Sequence, residues 1–110
     1  MYPIYQKLAE LGLPVIFHGG WGPLSSDIIY GTPERFAKAV SENPNLTFII
    51  AHLGGMKMWN DVEKYLAGKF DNLYFDTSCL SRYIKPQTFY NIIKIQTPEK
   101  ILFGSDSPWD

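Results

Sequence analysis

The chain holds two histidines, His18 and His52, and each is followed by a pair of glycines after or within one residue: His18-Gly19-Gly20 and His52-Leu53-Gly54-Gly55. Each histidine also closes a short apolar run, Pro14-Val15-Ile16-Phe17 in one case and Leu46 to Ala51 in the other. Two further runs end in carboxylates, Leu73-Tyr74-Phe75 in Asp76 and Ile101-Leu102-Phe103 in Gly104-Ser105-Asp106. Imidazole is the commonest zinc ligand, and a carboxylate often completes such a site. A metal held there would acidify a water molecule enough to make it a nucleophile near neutral pH. The glycines would let the chain turn sharply beside the site and leave room for a substrate. His18, His52 and Asp106 are therefore the candidate ligands.

Other residues invite chemistry less. Asp76-Thr77-Ser78 after a strand reads first as a turn or a helix cap. Cys79 has no pattern around it that marks a nucleophile, and it reads as a small packed thiol. Trp59, in line with Val62 and Leu66, reads as core. Trp21 and Trp109 fall in loops beside the candidate ligands and could line a pocket. Arg82 could pair with a substrate carboxylate, or simply be solvated.

The elements that must position these residues follow from pattern. A helix is expected over 2–11, stopped at Gly12. Pro14 to His18 reads as a buried parallel strand, covered on both faces. A long loop, Trp21 to Gly31, follows. Thr32-Pro33-Glu34 opens a second helix, with a cap, a proline at the first position and an acid at the positive end of the dipole. Phe36, Ala37 and Val40 form its buried face, and Asn43-Pro44-Asn45 stops it. A second strand spans Leu46 to Ala51, a third helix about 57–68, a third strand 73–75, a fourth helix starts at Pro86, and a fourth strand spans 101–103. Alternating helices and strands imply a parallel sheet with right-handed crossovers. His18, His52, Asp76 and Asp106 stand 34, 24 and 30 residues apart. Each interval is one strand–helix unit, so all four gather at the C-terminal edge of the sheet, where α/β folds build their sites.

Composition bounds the partners. The 110 residues allow one domain, 45% hydrophobic and 15% aromatic. A net charge of −1 gives no basic patch for nucleic acid or an anionic membrane. One cysteine excludes an intrachain disulfide and fits a reducing cytoplasm. No signal peptide and no membrane-spanning run is seen.

Taken together, Pro14 to Gly20, Ile49 to Gly55 and Ile101 to Trp109 resemble the amidohydrolase-related proteins of the amidohydrolase superfamily. The stretch from Gly31-Thr32-Pro33 to Asn43-Pro44-Asn45-Leu46 is similar to the family's helix between strands five and six. The resemblance implies an α/β fold, a partial (β/α)8 barrel whose four parallel strands are equivalent to strands 5–8. Residues 1–110 would form a single partial domain, the C-terminal half of a metal-dependent hydrolase barrel. It implies a divalent metal, zinc first, and a small-molecule substrate. His18 matches the fifth-strand ligand. Asp106 matches the eighth-strand carboxylate that binds metal or takes a proton from water. His52 matches the sixth-strand histidine that ligates a second metal or polarises substrate. The family's first-strand His-x-His pair has no counterpart in these residues, and no fourth-strand ligand is present. Both ends are expected to be cut, with the open sheet edges closed by an N-terminal half or by a second copy of the chain. The alternatives are a decarboxylase on the same site, a non-catalytic half-barrel that assembles with another chain, and a small open α/β sheet that binds a ligand.

Overall fold

The computed structural model describes residues 2–22 and 31–107. Helices α1 (Tyr2–Glu10), α2 (Pro33–Glu42), α3 (Trp59–Tyr65) and α4 (Pro86–Gln96) alternate with strands β1 (Val15–Phe17), β2 (Phe48–Ile50), β3 (Leu73–Asp76) and β4 (Ile101–Leu102). The four strands form one sheet in the order β1-β2-β3-β4, every pair parallel. A sheet in chain order with a helix between successive strands is the expected repeating unit. The expectation of four parallel strands alternating with helices is met.

Local chemistry sets the boundaries. Thr32 sits in extended backbone and its hydroxyl accepts from the Arg35 amide at 3.3 Å, with Pro33 next. At the other end of α2, the Asn72 amide group donates to the Leu46 carbonyl at 2.9 Å and the Asn43 carbonyl at 3.1 Å. That side chain ties the turn before β2 to the start of β3. α3 is shorter than the 57–68 expected. Lys57 has φ +60° and Gly68 has φ +72°, and neither backbone can continue a right-handed helix. Trp59, Val62 and Leu66 are nonetheless buried, as their spacing requires. Val62 and Leu66 are each worth about 1.5–3 kcal/mol on full burial. β4 also stops early, and Phe103 stands 90% exposed beyond it.

The strand from Pro14 to His18 is expected to be covered on both faces, and here the structure differs. Phe48, Ile50, Leu73 and Phe75 point to one face and are fully buried. Ile16, Ile49 and Tyr74 stand side by side on the other, followed by Asp76 beside Leu102. On that second face Ile16 is 63% exposed and Leu102 39%. Side chains alternate across a strand, so a single row divides sharply between the two environments. In a closed barrel the second face would be the interior.

Candidate metal centre

His18 follows β1 directly, two residues beyond Ile16, and so continues the open face. His52 reaches the same place by another route. Phe17 pairs with Ile50, so the register partner of His18 is Ala51, and His52 lies one residue further on. Strict alternation would turn it away. Instead His52 and Leu53 both adopt left-handed backbone, with φ +60° and +55°. Such conformations cost on the order of 1–3 kcal/mol each and persist only where the surroundings fix them. Four hydrogen bonds do so. The His52 amide donates to Asp76 Oδ1 at 3.0 Å. The Leu53 amide donates to the Asp76 carbonyl at 2.8 Å, and the Gly55 amide to the His52 carbonyl at 3.2 Å. The Trp59 indole donates to the His52 carbonyl at 3.1 Å.

The loop after β1 is pinned from the same side. The Met56 amide donates to the Gly19 carbonyl at 2.8 Å, and the Trp21 amide to the Met56 carbonyl at 3.0 Å. Gly20 lies within this pairing at φ +77°, and a Cβ there would collide with the Met56 backbone. The glycines after His18 therefore serve close backbone approach as well as turning.

The two rings meet edge to face, centroids 4.7 Å apart. His18 Nδ1 and His52 Nε2 are separated by 3.1 Å. The other nitrogen of each ring faces a backbone carbonyl: His18 Nε2 the Trp21 oxygen at 3.1 Å, and His52 Nδ1 the Ser78 oxygen at 3.0 Å. A carbonyl can only accept, so each of these outer nitrogens carries a proton. Two neutral rings would then aim two lone pairs at each other across the gap. A metal ion set between them would take up both lone pairs. With zinc–nitrogen bonds of roughly 2.1 Å, two imidazole ligands on one ion stand roughly 3.0 Å apart at a right angle and 3.4 Å at the tetrahedral angle. The 3.1 Å separation fits that range, and outer nitrogens held by carbonyls are the usual orienting shell of metal-bound histidines. The donor set of this pair fits a metal.

The third candidate ligand is not brought to the pair. Asp106 lies exposed in the coil after β4, at φ +61°, with no hydrogen bond or ion pair to either histidine. Among the described residues no group of three or more His, Cys, Asp and Glu side chains could hold a metal ion. Trp21 is half-buried at the rim, and the Lys57 ammonium stands 4.2 Å from its ring centroid and 5.0 Å from that of Tyr83. Arg82 is exposed. Trp109 lies outside the described residues. The pattern reading missed Lys57 and Ser78, and took Asp76 for a turn residue. The only local signal for this group was the Asp-Thr-Ser run after β3.

Among the described residues no helix is long and apolar enough to cross a membrane. No curated protein matches the chain. Solved structures do. A TIM-barrel protein from Bordetella bronchiseptica is 25% identical, with a TM-score of 0.68 over 97% of this chain and 37% of its own. A protein described as a metal-dependent hydrolase from Lactobacillus casei is 27% identical, with a TM-score of 0.70 over 96% of this chain and 28% of its own. A 2,6-dihydroxybenzoate decarboxylase is 17% identical, with a TM-score of 0.62 over 98% of this chain and 44% of its own, and shares the fold. The chain thus spans less than half the length of each of these structures, and its fold is part of a (β/α)8 barrel. The family model for amidohydrolases matches residues 1–110 throughout, and the chain belongs to that family.

Proposed function

We propose that this chain supplies strands five to eight of a metal-dependent hydrolase that acts on a carbonyl-like carbon of a small molecule. The observation that carries the reading is the facing pair of ring nitrogens, 3.1 Å apart, with each outer nitrogen anchored to a carbonyl. Family membership supports metal-dependent hydrolysis over other uses of such a pair. A divalent metal, zinc by the preference of imidazole donors, would when bound there polarise the electrophile and activate water. His18 would hold the metal from the end of β1. His52 would hold it as well, or present Nε2 to the reacting oxygen. Asp106 would complete the donor set or take up the proton released from water. Trp21, with Trp109 and Arg82, would contact the substrate.

The remaining ligands would come from whatever covers the open face of the sheet, either the N-terminal half of the same protein or a second copy of the chain. Metal analysis of the longest natural form, with His18→Ala and Asp106→Ala beside it, tests the reading. Loss of metal is expected in His18→Ala, and in Asp106→Ala where the carboxylate completes the donor set; full metal content in both overturns the ligand assignment. With metal established, release of carbon dioxide from aromatic or unsaturated acids, and no cleavage of amides or lactones, would assign decarboxylation instead. A metal-free, inactive full-length form would leave only a non-catalytic half-barrel.

A further inference from the structure

We propose that Asp76 and Ser78 are positioning residues that hold His52 with its proton on Nδ1 and its bare Nε2 turned toward His18. Asp76 Oδ1 collects three donors: the Ser78 hydroxyl at 2.7 Å, the Ser78 amide at 3.0 Å and the His52 amide at 3.0 Å. The Ser78 hydroxyl spends its one hydrogen on that carboxylate. Its oxygen, 3.2 Å from His52 Nδ1, can then only accept, as can the Ser78 carbonyl at 3.0 Å. Nδ1 faces two oxygens and no hydrogen, so the ring must supply the proton. A ring flipped by half a turn would set carbon against both oxygens and forfeit both bonds.

Burial makes the preference strong. His52, Asp76 and Ser78 are 4%, 7% and 4% exposed, so water offers little competition. No ion pair reaches Asp76 among the described residues. Its charge is instead met by the three donors, two of which belong to Ser78 and one to the backbone of the histidine it orients. The same carboxylate therefore fixes where the His52 backbone turns and which ring nitrogen is protonated. The end of β4 leaves it room: a Cβ on Gly104 would stand 3.3 Å from both Asp76 Cγ and Oδ2. What the bare Nε2 then does, binding metal or serving substrate, rests on the function proposed above. The proton position does not.

The test is nitrogen NMR of the full-length protein carrying 15N-labelled histidine, after chelator treatment so that metal has no part in it. His52 Nδ1 is expected to resonate as a protonated nitrogen in the wild type. Ser78→Ala and Asp76→Asn keep the Ser78 carbonyl opposite Nδ1 but loosen the hydroxyl oxygen beside it, so each should show Nδ1 still mainly protonated with a minor share of the other neutral form, and Ser78→Thr, which keeps the hydroxyl, should restore the wild-type pattern. Zinc titration of the same proteins should show affinity lower by about 10–100-fold for Ser78→Ala and Asp76→Asn, the usual cost of removing an orienting partner, with Ser78→Thr near wild type. A wild-type spectrum with an unprotonated Nδ1 overturns the proposal, as do Ser78→Ala and Asp76→Asn spectra identical to wild type. Should Asp76→Asn fail to fold, the wild-type, Ser78→Ala and Ser78→Thr spectra decide. If no zinc binds to any of the proteins while the spectra behave as expected, the metal reading falls and the positioning role stands.

Discussion

His18 Nδ1 and His52 Nε2 lie 3.1 Å apart although the two residues leave the sheet one register step out of line. The mismatch is absorbed by the left-handed turn at His52 and Leu53. Because the two rings point lone pairs at one gap, removing either ring should cost more than removing an orienting partner. His18→Ala and His52→Ala are each expected to weaken zinc binding beyond the about 10–100-fold that outer-shell changes produce. Zinc titration of the full-length protein checks this, and equal affinity in both variants and wild type would contradict it.

The turn at His52 depends on the indole of Trp59. Trp59→Phe keeps most of the buried ring and deletes the 3.1 Å bond to the His52 carbonyl. Stability should fall by about 1 kcal/mol, with up to 3 kcal/mol if the carbonyl is left buried and unpaired. Urea denaturation reads the change, and an unaltered midpoint would show that the turn is held without the indole.

Gly20 carries a heavier requirement. Gly20→Ala would put a methyl group into the Met56 backbone at φ +77°. The left-handed conformation alone costs about 1–3 kcal/mol for a residue other than glycine, and the collision adds to it. The loops after β1 and β2 should separate, with amide exchange of Met56 and Trp21 accelerated. Exchange rates equal to wild type at these two amides would show that the pairing survives.

Lys57 spans the rim between Trp21 and Tyr83. Lys57→Met keeps the length of the side chain and removes the charge. It should shift Trp21 fluorescence and cost about 0.5–1 kcal/mol, the range of exposed cation–π contacts. An unchanged emission spectrum and denaturation midpoint would place the ammonium elsewhere in solution.

The open face offers a test of assembly. Ile16 is 63% exposed on the face that a barrel would enclose. Ile16→Asp should leave the stability of the 110-residue chain within about 0.5 kcal/mol, as surface changes do. Where that face is covered, by an N-terminal half or a second copy as proposed, the same change should destabilise the assembled protein by several times that, since a charge would then be buried. Equal effects in both forms would mean that this face is never covered.

How much of this was legible in the sequence differs by residue. The alternation of helices and strands was, because it depends on local patterns: Thr32-Pro33 opening α2, the Trp59, Val62 and Leu66 stripe of α3, and apolar runs of strand length. The gathering of His18 and His52 at one edge was legible too, since each strand–helix unit returns the chain to the same side of the sheet. Their contact was not. It needs His52 turned against the alternation of its strand, and that turn is held by Asp76 and Trp59, which lie 24 and 7 residues away. The role of Asp76 was hidden for the same reason: the sequence shows a carboxylate in a turn, and only packing shows that three donors converge on one of its oxygens. Spacing alone determined at which edge of the sheet the two histidines gather. Register, a left-handed turn and long-range hydrogen bonds decided which atoms meet there, because these are set by contacts between segments that no local pattern records.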